Sequence, residues 1–167
     1  MLQTPQELRT ALADLDRIDG GKALQLLATG TFSAQQELAA GNIAEGAAWT
    51  AETVDLVRAL ARRGTLDEWD ATARIARLTG NVLRHAGDEY RDRFPLQPLI
   101  DDVVRLLPAD PAAEAERGRR WRELPRPEIM RLRHTKNLVT ALLAVEPYAP
   151  EISRIVEDWR DVLPHLP

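Results

Sequence analysis

The sequence predicts an all-α fold, a helical bundle of about seven to nine helices forming a single domain over residues 1–167. Three observations carry that reading. Apolar residues recur every three or four positions along most of the chain. Helix-starting residues (Ser, Thr, Asn, Asp) followed three places later by Glu or Gln, with glycines and prolines between, divide the chain into helix-sized lengths. Nowhere do β-branched residues alternate over the length of a strand.

Taken in order, Thr4-Pro5-Gln6-Glu7 opens a first helix, with Thr4 as cap, Pro5 in the first turn and Glu7 completing a capping box. Leu8, Ala11, Leu12, Leu15 and Ile18 form its stripe, and Gly20-Gly21 is expected to stop it. Lys22 to Thr29 reads as a short apolar segment closed by Gly30. Ser33 with Gln36 starts another short helix, which Gly41 interrupts. Asn42 with Glu45 then begins a longer helix reaching about residue 63.

Gly64 and Thr65 separate that helix from the one expected to organise the fold, 66–94. Thr65 and Glu68 form a capping box in front of it, and Pro95 ends it. At about 1.5 Å per residue an unbroken run of this length is roughly 43 Å long. Trp69, Ile75, Ala76, Leu78, Val82, Leu83, Ala86, Tyr90 and Phe94 cover half of its circumference. Asp70, Arg74, Arg77, Asn81, Arg84, Asp88 and Asp92 hold the polar half. So short a joint makes 42–63 and 66–94 an antiparallel hairpin.

Beyond Pro95 the sequence predicts four further segments. Leu96–Leu107 is a short helix ended by Pro108, and Asp110-Pro111 caps a polar helix to about Leu124. Pro125 and Pro127 turn the chain into Glu128–Val145. Pro147 and Pro150 turn it again into an amphipathic helix containing Ile152, Ile155, Val156, Trp159, Val162 and Leu163.

Composition narrows the function classes. Zero cysteines exclude disulfides and thiolate metal sites. No apolar run spans a bilayer, so no membrane role is expected. The N-terminal MLQTPQELRT lacks the basic-then-apolar order of a secretory signal, and a cytoplasmic location is the expectation. Of 22 basic residues only Lys22 and Lys136 are lysines, the bias of a GC-rich bacterial genome rather than a functional signal. A net charge of −4 argues against a general polyanion binder.

Three constellations are candidate sites. The first is Arg117, Arg119, Arg120, Arg122, Arg126, Arg131, Arg133 and Lys136. Against Glu116, Glu123 and Glu128 they give 115–136 a local charge of 8 − 3 = +5, while 1–60 carries −4 and 146–167 carries −3. Such guanidinium groups suit phosphates or carboxylates, and Trp121 among them suits base stacking. Alternatively they pair with the acidic ends of the same chain or of a partner subunit. The second is His85, Asp88, Glu89 and Asp92, which the four-residue spacings crowd onto one arc of the 66–94 helix as candidate metal ligands. Surface ion pairing is the plainer account of them.

The third constellation adds Glu52 and Asp55, with Glu45 nearby, across the hairpin from Glu89 and Asp92. Carboxylates on adjacent helices hold magnesium against a triphosphate in nucleotide pyrophosphatases, although the Glu-Glu-x-x-Glu half of that pattern is missing here. His134 sits at a stripe boundary, and the four tryptophans (Trp49, Trp69, Trp121, Trp159) are expected in core or interface. No phosphate loop, nucleophile elbow or zinc-protease motif occurs.

The leading expectation is therefore a non-enzymatic bundle without a cofactor, acting through a protein partner or by self-association as a homodimer. A nucleic-acid-associated protein using 117–136 is the alternative. A metal-dependent hydrolase resembling nucleotide pyrophosphatases is the second.

Overall fold

The computed structural model describes residues 2–167. Eight α-helices and no strand occur among them: α1 (Pro5–Ala13), α2 (Gly20–Ala39), α3 (Ile43–Arg62), α4 (Glu68–Ala86), α5 (Gln97–Leu106), α6 (Pro111–Arg119), α7 (Arg126–Val145) and α8 (Ser153–Arg160). Short 3-10 turns finish several of them, including Gly87–Tyr90 after α4 and Leu163–His165 at the C-terminal tail.

Local chemistry explains most boundaries. The Thr4 hydroxyl accepts the N–H of Glu7 (3.3 Å), with Pro5 in the first turn. Gly41 and Gly64 take φ of 84° and 77°, reversing the chain after α2 and α3 where a Cβ would be strained. After Gly64 the N–H groups of Thr65 and Leu66 both donate to the carbonyl of Leu60, at 2.9 and 3.2 Å. Asp110 caps α6 by accepting the N–H of Ala113 (3.2 Å), with Pro111 following it.

Elsewhere the structure corrects the sequence. α1 stops at Ala13, and Gly20-Gly21 opens α2, because Asp19 caps that helix through the N–H of Lys22 (3.0 Å). Gly30 does not stop α2 and Ser33 does not start a helix; α2 passes through both. Gly30 is there for proximity to α3, since a Cβ on it would lie 2.5 Å from the Thr53 hydroxyl oxygen and 3.0 Å from a Leu8 methyl. α3 does start after Asn42 as expected, but the Asn42 side chain makes no capping hydrogen bond, its amide donating instead to Glu37 (2.7 Å).

The cap of α4 is Asp67, which accepts the N–H of Asp70 (2.7 Å), rather than the Thr65/Glu68 box. Glu68 pairs instead with Arg105 of α5. The expected rod 66–94 is broken at Gly87 (φ 67°, ψ −156°), a backbone region essentially closed to residues with a Cβ. α4 is thus 19 residues and about 28 Å long, and Phe94 reaches the core from the returning loop.

Burial is built around α4. It stands antiparallel to α3 on one side and crosses α7 closely on another, where a Cβ on Gly80 would lie 2.7 Å from the Ala144 carbonyl oxygen. Leu8, Leu27, Trp49, Leu56, Leu60 and Leu78 pack the α1–α4 half. Ala73, Ala76, Ile100, Val103, Leu138, Leu142 and Val156 pack the α4, α5, α7 and α8 half. Val82, Leu83 and Phe94 join with Leu38 and Ala47 at the far end of α4. The tail closes a smaller cluster of Leu132, Val139, Trp159 and Leu166.

Candidate functional site: an arginine-lined groove on α4

The residues singled out from sequence are dispersed. On α6 and the turn after it, Arg117 pairs with Glu114 (3.4 Å) and Glu128 (3.3 Å), Arg119 with Glu116 (3.0 Å) and Arg120 with Glu123 (2.9 Å). These are mostly partners three residues away, not the acidic ends of the chain. Arg122 lies over the Trp121 ring, 5.4 Å from its centroid. Lys136 donates to the carbonyl of Leu166 (3.3 Å). Arg126, Arg131 and Arg133 are exposed and make no ion pair among the described residues, but on α7 Arg131 points about 140° away from Arg126. The run is not one continuous surface.

The carboxylates are also separated. Gly87 ends the helical register that would have aligned His85 with Glu89 and Asp88 with Asp92. Asp88 pairs with Arg91 (3.0 Å) and Asp55 with Arg58 (3.4 Å), while Glu89 and Asp92 are exposed. Glu52 is buried on α3 and turns toward α1, where Arg9 pairs with it, the Arg9 Nε donating at 2.8 Å. That hydrogen bond and the Glu52 charge raise the Arg9 pKa above its ordinary value. No three His, Asp or Glu side chains among the described residues come close enough to share a metal ion.

Trp49 and Trp159 are buried, as expected, and Trp121 is half-buried. Trp69, expected on the apolar face, is 42% exposed and stacks on His134 with ring centroids 5.7 Å apart.

What the fold does assemble is a groove floored by α4 and walled by α2 and α7. Asp70, Arg74, Arg77, Asn81 and Arg84 follow a 4-3-4-3 spacing, which puts them on one stripe of the helix. Two hollows of about 250 and 400 Å³ share Gln35, Arg77 and Asn81 and so run into each other. Thr31 and Gln35 of α2 form one wall. Leu143 and Ala144 of α7 form the other, with Pro147 and Tyr148 at its end.

The electrostatics of this groove are one-sided. Arg74 is held by Asp70 (2.9 Å), whereas Arg77 and Arg84, both exposed, have no carboxylate partner among the described residues. Other exposed arginines divide: Arg58, Arg105, Arg119, Arg120 and Arg160 have one, whereas Arg126, Arg131 and Arg133 do not and line no groove. Arg77 and Arg84 are two turns apart, about 10 Å along the axis, with the Asn81 amide between them. No acidic side chain lines either hollow. Guanidinium forks next to neutral amides bind carboxylates and phosphates through paired N–H donors.

Sequence reasoning placed these arginines on the polar half of the helix and went no further. The signal was present in their 3-and-4 spacing; the walls that make the stripe a groove come from residues tens of positions away on either side. No protein-family model matches this chain, and no curated protein and no solved structure is detectably similar to it.

Proposed function

We propose that this chain is a non-enzymatic binding protein whose α4 groove receives an acidic segment of a protein partner. The observation that supports this is the pair Arg77 and Arg84, without carboxylate partners among the described residues, in a walled groove that no acidic side chain lines. Two guanidiniums two turns apart match acidic side chains at i and i+7 of a helix laid along the groove, or carboxylates spaced along an extended segment. A net charge of −4 disfavours long nucleic acids, whose phosphates would be repelled beyond the groove itself.

Fluorescence anisotropy with a labelled acidic amphipathic peptide, at low and at physiological salt, tests the reading. Saturable binding that weakens with salt, and weakens at least about tenfold in Arg77→Glu/Arg84→Glu, is expected. Binding unaffected by that double reversal would refute it, as would tighter binding of a labelled DNA or RNA duplex.

A second reading, self-association, is supported by Phe32 on α2. This ring is 62% exposed on a helix whose other large apolar side chains are mostly packed inward. Light scattering separates the two readings: a dimer that dissociates in Phe32→Ser favours self-association, and a monomer removes it.

A further inference from the structure

On the opposite side of α4 lies a cleft between α3, α4 and α5, of about 370 Å³. Its floor is apolar, built from Val54, Ile75, Phe94 and Leu99. Set into that floor are Thr72 and Thr79, two turns apart on α4, only 7% and 3% exposed. Other buried threonines of the fold satisfy their hydroxyls locally: Thr50 donates to the carbonyl of Gly46 (2.8 Å), Thr53 to that of Trp49 (2.7 Å) and Thr135 to that of Arg131 (3.2 Å). The Thr72 and Thr79 hydroxyls make no hydrogen bond among the described residues and neither oxygen is sealed from solvent, so both remain available inside the cleft.

The rim supplies charge of a definite kind. Asp55 is engaged by Arg58 (3.4 Å) and Asp102 by Arg105 (3.5 Å). Arg105 is in turn held by Glu68, whose hydrogen bond and charge raise its pKa, so on this side of the rim every carboxylate already faces a guanidinium, with Asp102 and Glu68 sharing one. Arg93 is different. Its guanidinium rests over the Tyr90 ring, 5.6 Å from the centroid, with no carboxylate partner among the described residues. A cleft with an apolar floor, a charged rim and one unpaired cation at its mouth is an arrangement that suits a small amphipathic ligand.

We propose that this cleft binds a small amphipathic carboxylate. The apolar body would lie on Val54, Ile75 and Leu99, a polar substituent would meet the Thr72 and Thr79 hydroxyls, and the anionic end would meet Arg93. The site is independent of the α4 groove, which lies on the other side of the same helix.

The test uses the full chain with 3-hydroxyoctanoate as probe, followed by two-dimensional NMR of the threonine methyls and by thermal shift. Saturable shifts of the Thr72 and Thr79 methyls are expected, absent with octylamine and with acetate. Thr79→Val and Arg93→Gln should each weaken binding about three- to tenfold, the loss of one hydrogen bond or one exposed ion pair. Because the Thr79 hydroxyl has no partner, Thr79→Val should leave the melting temperature of the free protein unchanged or higher, which a structural hydroxyl would not. Three results would each overturn the proposal: no saturable shift at millimolar probe, equal binding of octylamine, or full affinity in both variants.

Discussion

Gly80→Ala is the substitution whose outcome the structure specifies most sharply. In an exposed helix interior, alanine in place of glycine would stabilise by about 1 kcal/mol. Gly80 is instead buried where α4 crosses α7, and the added Cβ would sit 2.7 Å from the Ala144 oxygen, 3.1 Å from its carbonyl carbon and 3.2 Å from its Cβ. Two of those atoms are backbone and cannot rotate aside. α7 would have to retreat by several tenths of an ångström, loosening Leu138, Ala141, Leu142 and Val145 together. Overpacking of that kind costs about 1–3 kcal/mol, and an immobile neighbour places it at the upper end. Subtracting the helix gain leaves a net loss of about 2 kcal/mol, or roughly 4–8 °C in melting temperature for a domain of this size. Urea unfolding followed by tryptophan fluorescence measures it, with Gly20→Ala as control. There the nearest atom to the new Cβ is 3.8 Å away, and stability should rise. Equal stabilisation by both substitutions would refute the claim that α4 and α7 touch through the glycine.

Three further outcomes follow from the same physics. Gly30→Ala should destabilise because of the Thr53 hydroxyl, and Thr53→Ala should relieve the clash, giving a favourable coupling of about 1–2 kcal/mol in a double-mutant cycle; strict additivity would contradict the contact. Gly87→Ala should cost about 1–3 kcal/mol in urea unfolding, because its φ of 67° with ψ of −156° excludes a Cβ; an unchanged midpoint would contradict the break after α4. The carboxyl of Asp19 is held below the ordinary carboxylate range, first by the N–H of Lys22, so its charge stabilises α2 above the unfolded-state pKa and that contribution is lost as pH falls through the folded value. Asp19→Asn keeps the cap without the charge, so the stability gap between the two proteins should close as pH is lowered through the carboxylate range; a gap that widens would reverse the sign of the argument.

Features governed by neighbours in the chain could be read from the sequence. The all-α class, the Thr4 and Asp110 caps, the hairpin joint at Gly64 and the break at Gly41 depend on a few consecutive residues, and the structure has them where expected. Features decided across space could not. Gly20, Gly30 and Gly87 share one residue type and fill three roles: opening a helix, permitting a close crossing and breaking a rod. Only Asp19 before the first, Thr53 opposite the second and the backbone angles of the third distinguish them. The candidate sites follow the same division. The arginine stripe on α4 is visible in the spacing, but its walls are not. The idle hydroxyls of Thr72 and Thr79 cannot be told from the satisfied ones of Thr50 and Thr53 until the partners are in place. The carboxylate cluster failed to gather because it assumed an unbroken register past Gly87.

Close crossing has a consequence for ancestry. Apolar positions in a bundle exchange Leu, Ile, Val and Met freely, so sequences diverge while the core survives. Gly30, Gly46, Gly80 and Gly118 have no such latitude, since at each of them any side chain would strike the helix or tail segment opposite. In distant cousins of this chain, the intervals separating these four residues should outlast every stripe around them, and they are the signature by which such cousins would be found.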